Sequence, residues 1–231
     1  MITEAPEKSA VATKRRGLPL WMETVVLLVV AVLISALIKT FLVQMFWVPS
    51  VSMEPLFIKN DRILVEKWSY WNSPIQRGDV IVFRDPGGKW LEGQDSAKLN
   101  PLQTLMSKVG LYPTGGHLVK RVIGVAGDHV ACCDVRGRVT VNGVPLIEGD
   151  YIKKGSDPSS MPFHITVPAG HVWVMGDYRD DSEDSRFHTN LPGHGSVPDS
   201  DVVGKVWALV WPFGRATFLH TPSTFDNPKL G

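Results

Sequence analysis

Residues 24–38 read TVVLLVVAVLISALI, without one charged side chain. No other feature constrains the fold of this chain as strongly. The run is short for a transmembrane span of about 20 residues. Lys39 and Thr40 interrupt it, and FLVQMFWV then carries the apolar stretch on to Val48. If Lys39 snorkels to the headgroups or faces protein, the combined stretch is long enough. Trp21 and Trp47 stand where interfacial aromatics belong. The competing reading is a cleavable secretory signal with Lys14-Arg15-Arg16 ahead of its apolar core. Ser35-Ala36-Leu37 lies inside the run and the residues beyond are bulky, so no small-x-small cleavage site follows. The sequence therefore predicts one uncleaved N-terminal transmembrane helix. The basic cluster before it predicts a cytoplasmic N-terminus and an extracytoplasmic C-terminal domain.

The expected organisation is a polar cytoplasmic tail (residues 1–17), a transmembrane anchor (18–46) and one extracytoplasmic domain (47–231). The stretch VVGKVWALVWPF (202–213) is too short to span and carries Lys205, so it reads as a core strand. Strand patterns also occupy residues 62–67, 79–83, 118–125, 129–133, 139–141 and 171–175, with a hairpin turn at Asn142-Gly143. The 17 prolines and 21 glycines fall largely where these patterns break. Residues 87–116 lack a strand pattern and read as a surface insertion with a short helix over 102–109. The fold class is mainly β with antiparallel sheets. A formal net charge of +1 gives no reason to expect nucleic acid as a partner.

Cys132 and Cys133 are the chain's two cysteines. Adjacent Cα atoms lie about 3.8 Å apart, closer than ordinary disulfide geometry allows. They read as two small apolar residues of a strand, not as a disulfide.

Three segments carry chemistry. Pro49-Ser50-Val51-Ser52-Met53-Glu54-Pro55 is a stiff turn that can aim a hydroxyl. In Leu118-Val119-Lys120-Arg121-Val122, a strand places Lys120 on one face with Leu118 and Val122. Aliphatic surroundings disfavour a charged ammonium, and a lysine with a lowered pKa can act as a base near neutral pH. Residues 176–186 (GDYRDDSEDSR) are dense in carboxylates but fail the calcium-loop spacing, and no metal site is expected.

Taken together, the motifs resemble those of the bacterial type I signal peptidases. Residues 49–53 resemble the family's PSxSM nucleophile motif and Arg77-Gly78-Asp79-Val80 its RGDV strand. Lys120-Arg121 through Gly127-Asp128 resembles its lysine motif, and residues 176–186 resemble GDNRDNS.DSR, with Tyr178 and Asp181 standing where asparagines are usual. The resemblance implies a catalytic domain of two parts shared with self-cleaving repressors. Residues 87–116 and 134–165 would hold much of its smaller, variable part. It implies Ser52 as nucleophile, Lys120 as general base, and an oxyanion hole of Ser50 and the Ser52 N–H. It also implies Ser182 as the residue orienting Lys120, Asp184 with Arg186 as a structural ion pair, and no cofactor.

The implied activity is a serine endopeptidase that removes signal peptides at the outer face of the cytoplasmic membrane. Its partners would be secretory preproteins, with small residues one and three positions before the cut, and the lipid bilayer. A specialised Ser/Lys peptidase for conjugation or pilus proteins and a non-catalytic β-domain adaptor are the alternatives. Ser52 lacks a lysine three residues on, as a penicillin-binding hydrolase needs, and no Gly-x-Ser-x-Gly elbow is present.

Overall fold

The structure, a computed structural model, describes residues 19–37, 42–91 and 116–231. The chain divides into two units at Leu37/Ile38. In the first, α1 spans Leu20–Leu37. Pro19 precedes it and its carbonyl accepts from the Met22 and Glu23 N–H groups. Glu23 in the first turn complements the helix dipole. The apolar side chains from Val25 to Ile34 are exposed on every side. Among the described residues, no helix is long and apolar enough to cross a membrane. At about 1.5 Å per residue, α1 falls a few ångströms short of a hydrocarbon core of about 30 Å.

The second unit is built of antiparallel strands. These are β1 (Val43–Trp47), β2 (Arg62–Glu66), β3 (Val80–Arg84), β4 (His117–Gly124), β5 (His129–Cys132), β6 (Val139–Val141), β7 (Val144–Pro145), β8 (Phe163–Thr166), β9 (His171–Met175), β10 (Val197–Pro198), β11 (Val202–Trp211) and β12 (Thr217–Phe218). A large sheet runs β1-β2-β11-β3-β4-β9-β10, with β12 on β11, and a small sheet runs β7-β6-β5-β8. The mainly β, antiparallel reading of the sequence agrees with this architecture.

Three differences from the sequence reading matter. First, most of FLVQMFWV is strand. Its residues 43–47 form β1, paired with β2 from Val43↔Glu66 to Trp47↔Arg62. The last residues assigned to the anchor thus belong to the large sheet. Second, Cys132 and Cys133 are joined by a disulfide. The peptide between them is cis and their Cα atoms lie 2.9 Å apart. Third, residues 134–165 carry β6, β7 and most of β8, which join β5 in the small sheet, so this stretch is strand-bearing and not a plain insertion. The helix expected over 102–109 lies outside the described residues.

The small sheet packs through Val130, Val139, Val141 and Leu146 onto Trp173 and Met175 of β9. A second cluster, around Met53, Phe57, Ile63, Val65 and Val206, lies under the turn between β1 and β2. These two clusters fix the segments that flank the polar site.

Candidate active site

The turn between β1 and β2 is closed at its base. Val48 N–H donates to Asp61 O, and Asn60 N–H donates to Val48 O. Asp61 also accepts from Ile58 N–H at 2.9 Å and pairs with Arg215 at 3.2 Å. Within the turn, Glu54 N–H donates to Val51 O and Phe57 N–H to Met53 O. Met53 and Phe57 are fully buried and act as plugs. Ser52, the residue before Met53, is thereby held at the domain interior and is itself buried.

Strand β4 brings in the lysine. Lys120 pairs with Ile81 of β3, and its side chain is buried, with Val122 fully enclosed beside it on the same face. Its Nζ donates to Ser52 Oγ at 2.7 Å. Burial pushes the ammonium from 10.5 down to about 8; Asp184, Asp177 and Glu183 oppose that shift, and Arg186 adds to it. A lysine so placed loses its proton readily, and a neutral amine 2.7 Å from a hydroxyl can accept its proton. Ser50 Oγ lies 3.2 Å from Ser52 Oγ, on the exposed side of the pair.

Residues 176–186 wrap the other side of Lys120. Asp184 is the hub of this loop. Its carboxylate accepts from Arg186 Nε at 2.8 Å and Nη2 at 2.9 Å, from Gly176 N–H at 2.9 Å and from Ser182 Oγ at 2.8 Å. Both charged side chains are fully buried. Burial pushes the Asp184 carboxyl up, but the Arg186 hydrogen bonds and charge, with Lys120 and the Gly176 N–H, bring it below its ordinary value. The sequence reading had Ser182 orienting Lys120 by a hydrogen bond. Here the Ser182 hydroxyl donates to Asp184 instead, and no hydrogen bond links it to Lys120 among the described residues. Asp181, whose charge conflicts with a low lysine pKa, is exposed.

Several site-supporting contacts join residues that the sequence reading did not pair. Arg121 faces away from Lys120 and binds Asp177 with two hydrogen bonds, 2.8 and 2.6 Å, both groups buried. Arg179 pairs with Glu148 at 2.6 Å, beneath the Tyr151 ring. The alternation of β4 already turned Arg121 away from Lys120, but Glu148 sits in a stretch with no pattern to mark it. Tyr178 N–H donates to Ser52 O at 3.0 Å, tying the loop to the nucleophile turn. Among the described residues no group of three His, Cys, Asp or Glu could hold a metal ion.

A buried lysine poised to deprotonate against a buried serine is the equipment of a Ser/Lys hydrolase. Residues 21–211 match the family model described as signal peptidase, peptidase S26. A signal peptidase I of Mycobacterium tuberculosis is 41% identical over 233 residues, covering 90% of this chain and 77% of the relative. A probable signal peptidase I of Mycobacterium leprae is 36% identical, covering 92% and 83%, and a signal peptidase I of Leptolyngbya laminosa 33%, covering 95% and 94%. A crystal structure of a signal peptidase I from Enterococcus faecalis V583 aligns with a TM-score of 0.36 at 25% identity, covering 58% of this chain and 97% of that one. The chain belongs to the signal peptidase family, peptidase S26, and is a serine endopeptidase.

Proposed function

We propose that this enzyme removes signal peptides from secretory preproteins with Ser52 as nucleophile and Lys120 as general base. The 2.7 Å contact between the Lys120 amine and the Ser52 hydroxyl, inside an environment that lowers the lysine pKa, is the observation that carries this reading. Neutral Lys120 takes the Ser52 Oγ proton as the oxygen attacks the scissile carbonyl. The Ser52 N–H and Ser50 hydroxyl donate to the developing oxyanion, each such donor being worth about 3 kcal/mol. Lys120 returns the proton to the leaving amine. It then activates the water that releases the signal peptide from Ser52. Asp184 and Arg186 hold the loop behind the lysine, and Ser182 acts through Asp184. Relatives named signal peptidase I favour this reading over a specialised maturation peptidase or an adaptor.

Small residues one and three positions before the cut fit the preproteins expected as substrates. The enzyme acts at the outer face of the cytoplasmic membrane, with a single N-terminal anchor and residues 1–17 in the cytoplasm. Two features support a lipid partner: the exposed apolar side chains of α1, and the large apolar side chains Met45, Trp47, Trp207, Trp211, Phe213 and Phe218, exposed on β1, β11, β12 and the turn after β11. The test is incubation of the purified protein with a labelled preprotein, with mass analysis of the product. Cleavage by the wild type, its loss in Ser52→Ala and in a precursor carrying Phe in place of Ala before the cut, would support the proposal. Cleavage by Ser52→Ala would sink it. Protease added outside intact cells should reach the outer domain and leave residues 1–17 protected; the reverse pattern overturns the topology.

A further inference from the structure

The nucleophile turn and the loop of Asp184 meet at a third segment that the reaction chemistry above does not use. Lys153 follows Tyr151 in the turn after the β6–β7 hairpin. Its Nζ is 2.8 Å from Glu54 Oε2 and 3.6 Å from the centroid of the Tyr178 ring. Glu54 lies two residues beyond Ser52. Tyr178 holds Ser52 directly, through its N–H to the Ser52 carbonyl at 3.0 Å. The Lys153 N–H donates to Asp177 O at 2.9 Å, and Asp177 grips Arg121, the neighbour of Lys120. One lysine therefore touches both segments that flank the Ser52–Lys120 contact, with its backbone tied to the residue that anchors β4 from behind.

We propose that Lys153 is a positioning residue, a clamp between Glu54 and Tyr178 that holds Ser52 Oγ in line with Lys120. The proposal rests on the dyad reading of the site. The ion pair is part-exposed, 35% for Lys153 and 22% for Glu54, so it adds little to global stability. Alignment is a different matter, since a displacement of about 1 Å at reacting groups costs up to about 100-fold in rate. The clamp thus acts on kcat and not on folding. It also gives Tyr178, which stands where the family motif has asparagine, a role, because its ring face attracts the Lys153 ammonium.

The test is steady-state kinetics of the full chain in detergent on a short soluble peptide with Ala one and three positions before the cut. Lys153→Met should lower kcat by about tenfold or more, with KM within about twofold and Tm within about 2 °C. Lys153→Arg should restore most of the rate, because a guanidinium both pairs with a carboxylate and stacks on a ring. Tyr178→Asn should lose about as much as Lys153→Met, and the double variant no more than either. Wild-type kcat in Lys153→Met, a Lys153→Arg variant as poor as Lys153→Met, or a double variant losing the product of the single losses would each overturn the clamp. If Lys153→Met does not fold, Glu54→Gln and Tyr178→Asn carry the test, and wild-type kcat in both overturns it. Ser52→Ala separates the two readings. An active Ser52→Ala defeats the dyad, whereas an inactive Ser52→Ala beside a fully active Lys153→Met defeats the clamp alone.

Discussion

Lys120 Nζ sits 2.7 Å from Ser52 Oγ, across 68 residues of sequence, with the lysine only 4% exposed. The contact is made by a turn plugged into the core at Met53 and Phe57 and by a strand fixed between β3 and β9. Neither element needs substrate to bring the two groups together. Among the described residues no carboxylate is in direct contact with the lysine: Asp184 spends its oxygens on Arg186, Ser182 and the Gly176 N–H. Burial therefore prevails over the surrounding negative charge, and the amine is available as a base.

Activity should follow that deprotonation. The kcat/KM for a soluble peptide is expected to rise with pH through a midpoint near 8, well below the 10.5 of an unperturbed lysine. Lys120→Arg should be inactive across the range, because guanidinium keeps its proton. A pH profile flat from 6 to 10, or an active arginine variant, would remove Lys120 from the proton-transfer step.

The same shift predicts a stability cost. The folded-state pKa lies below the unfolded value, so the charged lysine penalises the fold below pH 8, and the penalty fades between 8 and 10.5. Its size at low pH is about 3 kcal/mol. Lys120→Met, apolar and of similar length, should then be more stable than wild type at pH 6, with the gain shrinking as pH rises to 10. Urea unfolding at both pH values measures it; a difference independent of pH, or greater at pH 10, contradicts a buried ammonium.

How much of this was legible in the sequence depends on whether a local pattern or a tertiary contact decided it. Strand alternation placed Lys120 on a face with Val122 and turned Arg121 the other way, and the structure keeps that division. Residues 43–46 read as anchor because Gln44 alone among them is polar. An outer sheet face bearing Met45 and Trp47 has the composition of a membrane segment, and periodicity over five residues does not separate them. The partner of Ser182 was misjudged for a different reason. A hydroxyl flanked by carboxylates has several acceptors within reach, and the choice of Asp184 is made by the turn of residues 179–188 and the Arg186 side chain. Glu148 and Lys153 come from a region without regular pattern, so their pairing with Arg179 and Glu54 exists only in three dimensions.

Gly176 lies where the loop packs against the nucleophile turn. A Cβ placed there would lie 2.5 Å from the Ser52 carbonyl oxygen and would also collide with the Ser182 side chain. The carbonyl is backbone held by Tyr178 N–H, so it cannot swing aside as a flexible side chain would. Gly176→Ala should push Ser52 away from Lys120 and lower kcat about 100-fold or more. A crystal structure or a serine-directed acylating probe reads the same displacement. Wild-type acylation of Ser52 in Gly176→Ala would show that the turn tolerates the movement.

Asp184→Asn separates the structural from the electrostatic role of the hub. The amide keeps one acceptor oxygen but turns an NH2 toward donors, and it leaves the fully buried Arg186 without its counter-charge. Breaking a buried pair from one side typically costs about 3–5 kcal/mol, or roughly 10 °C in Tm for a domain of this size. Calorimetry checks that loss. The second effect has its own sign. Asp184 is the largest influence holding the Lys120 pKa up against burial, and Arg186, which lowers it, remains. Removing the carboxylate charge should therefore move the rising limb of the pH–rate profile to lower pH, below about 8, in whatever fraction stays folded at low temperature. The maximal rate should fall as well, because Ser182 and the Gly176 N–H lose a full charge as their acceptor. A limb that moves to higher pH would mean that Asp184 does not act on the lysine through its charge. An unchanged Tm would mean that Arg186 finds another partner.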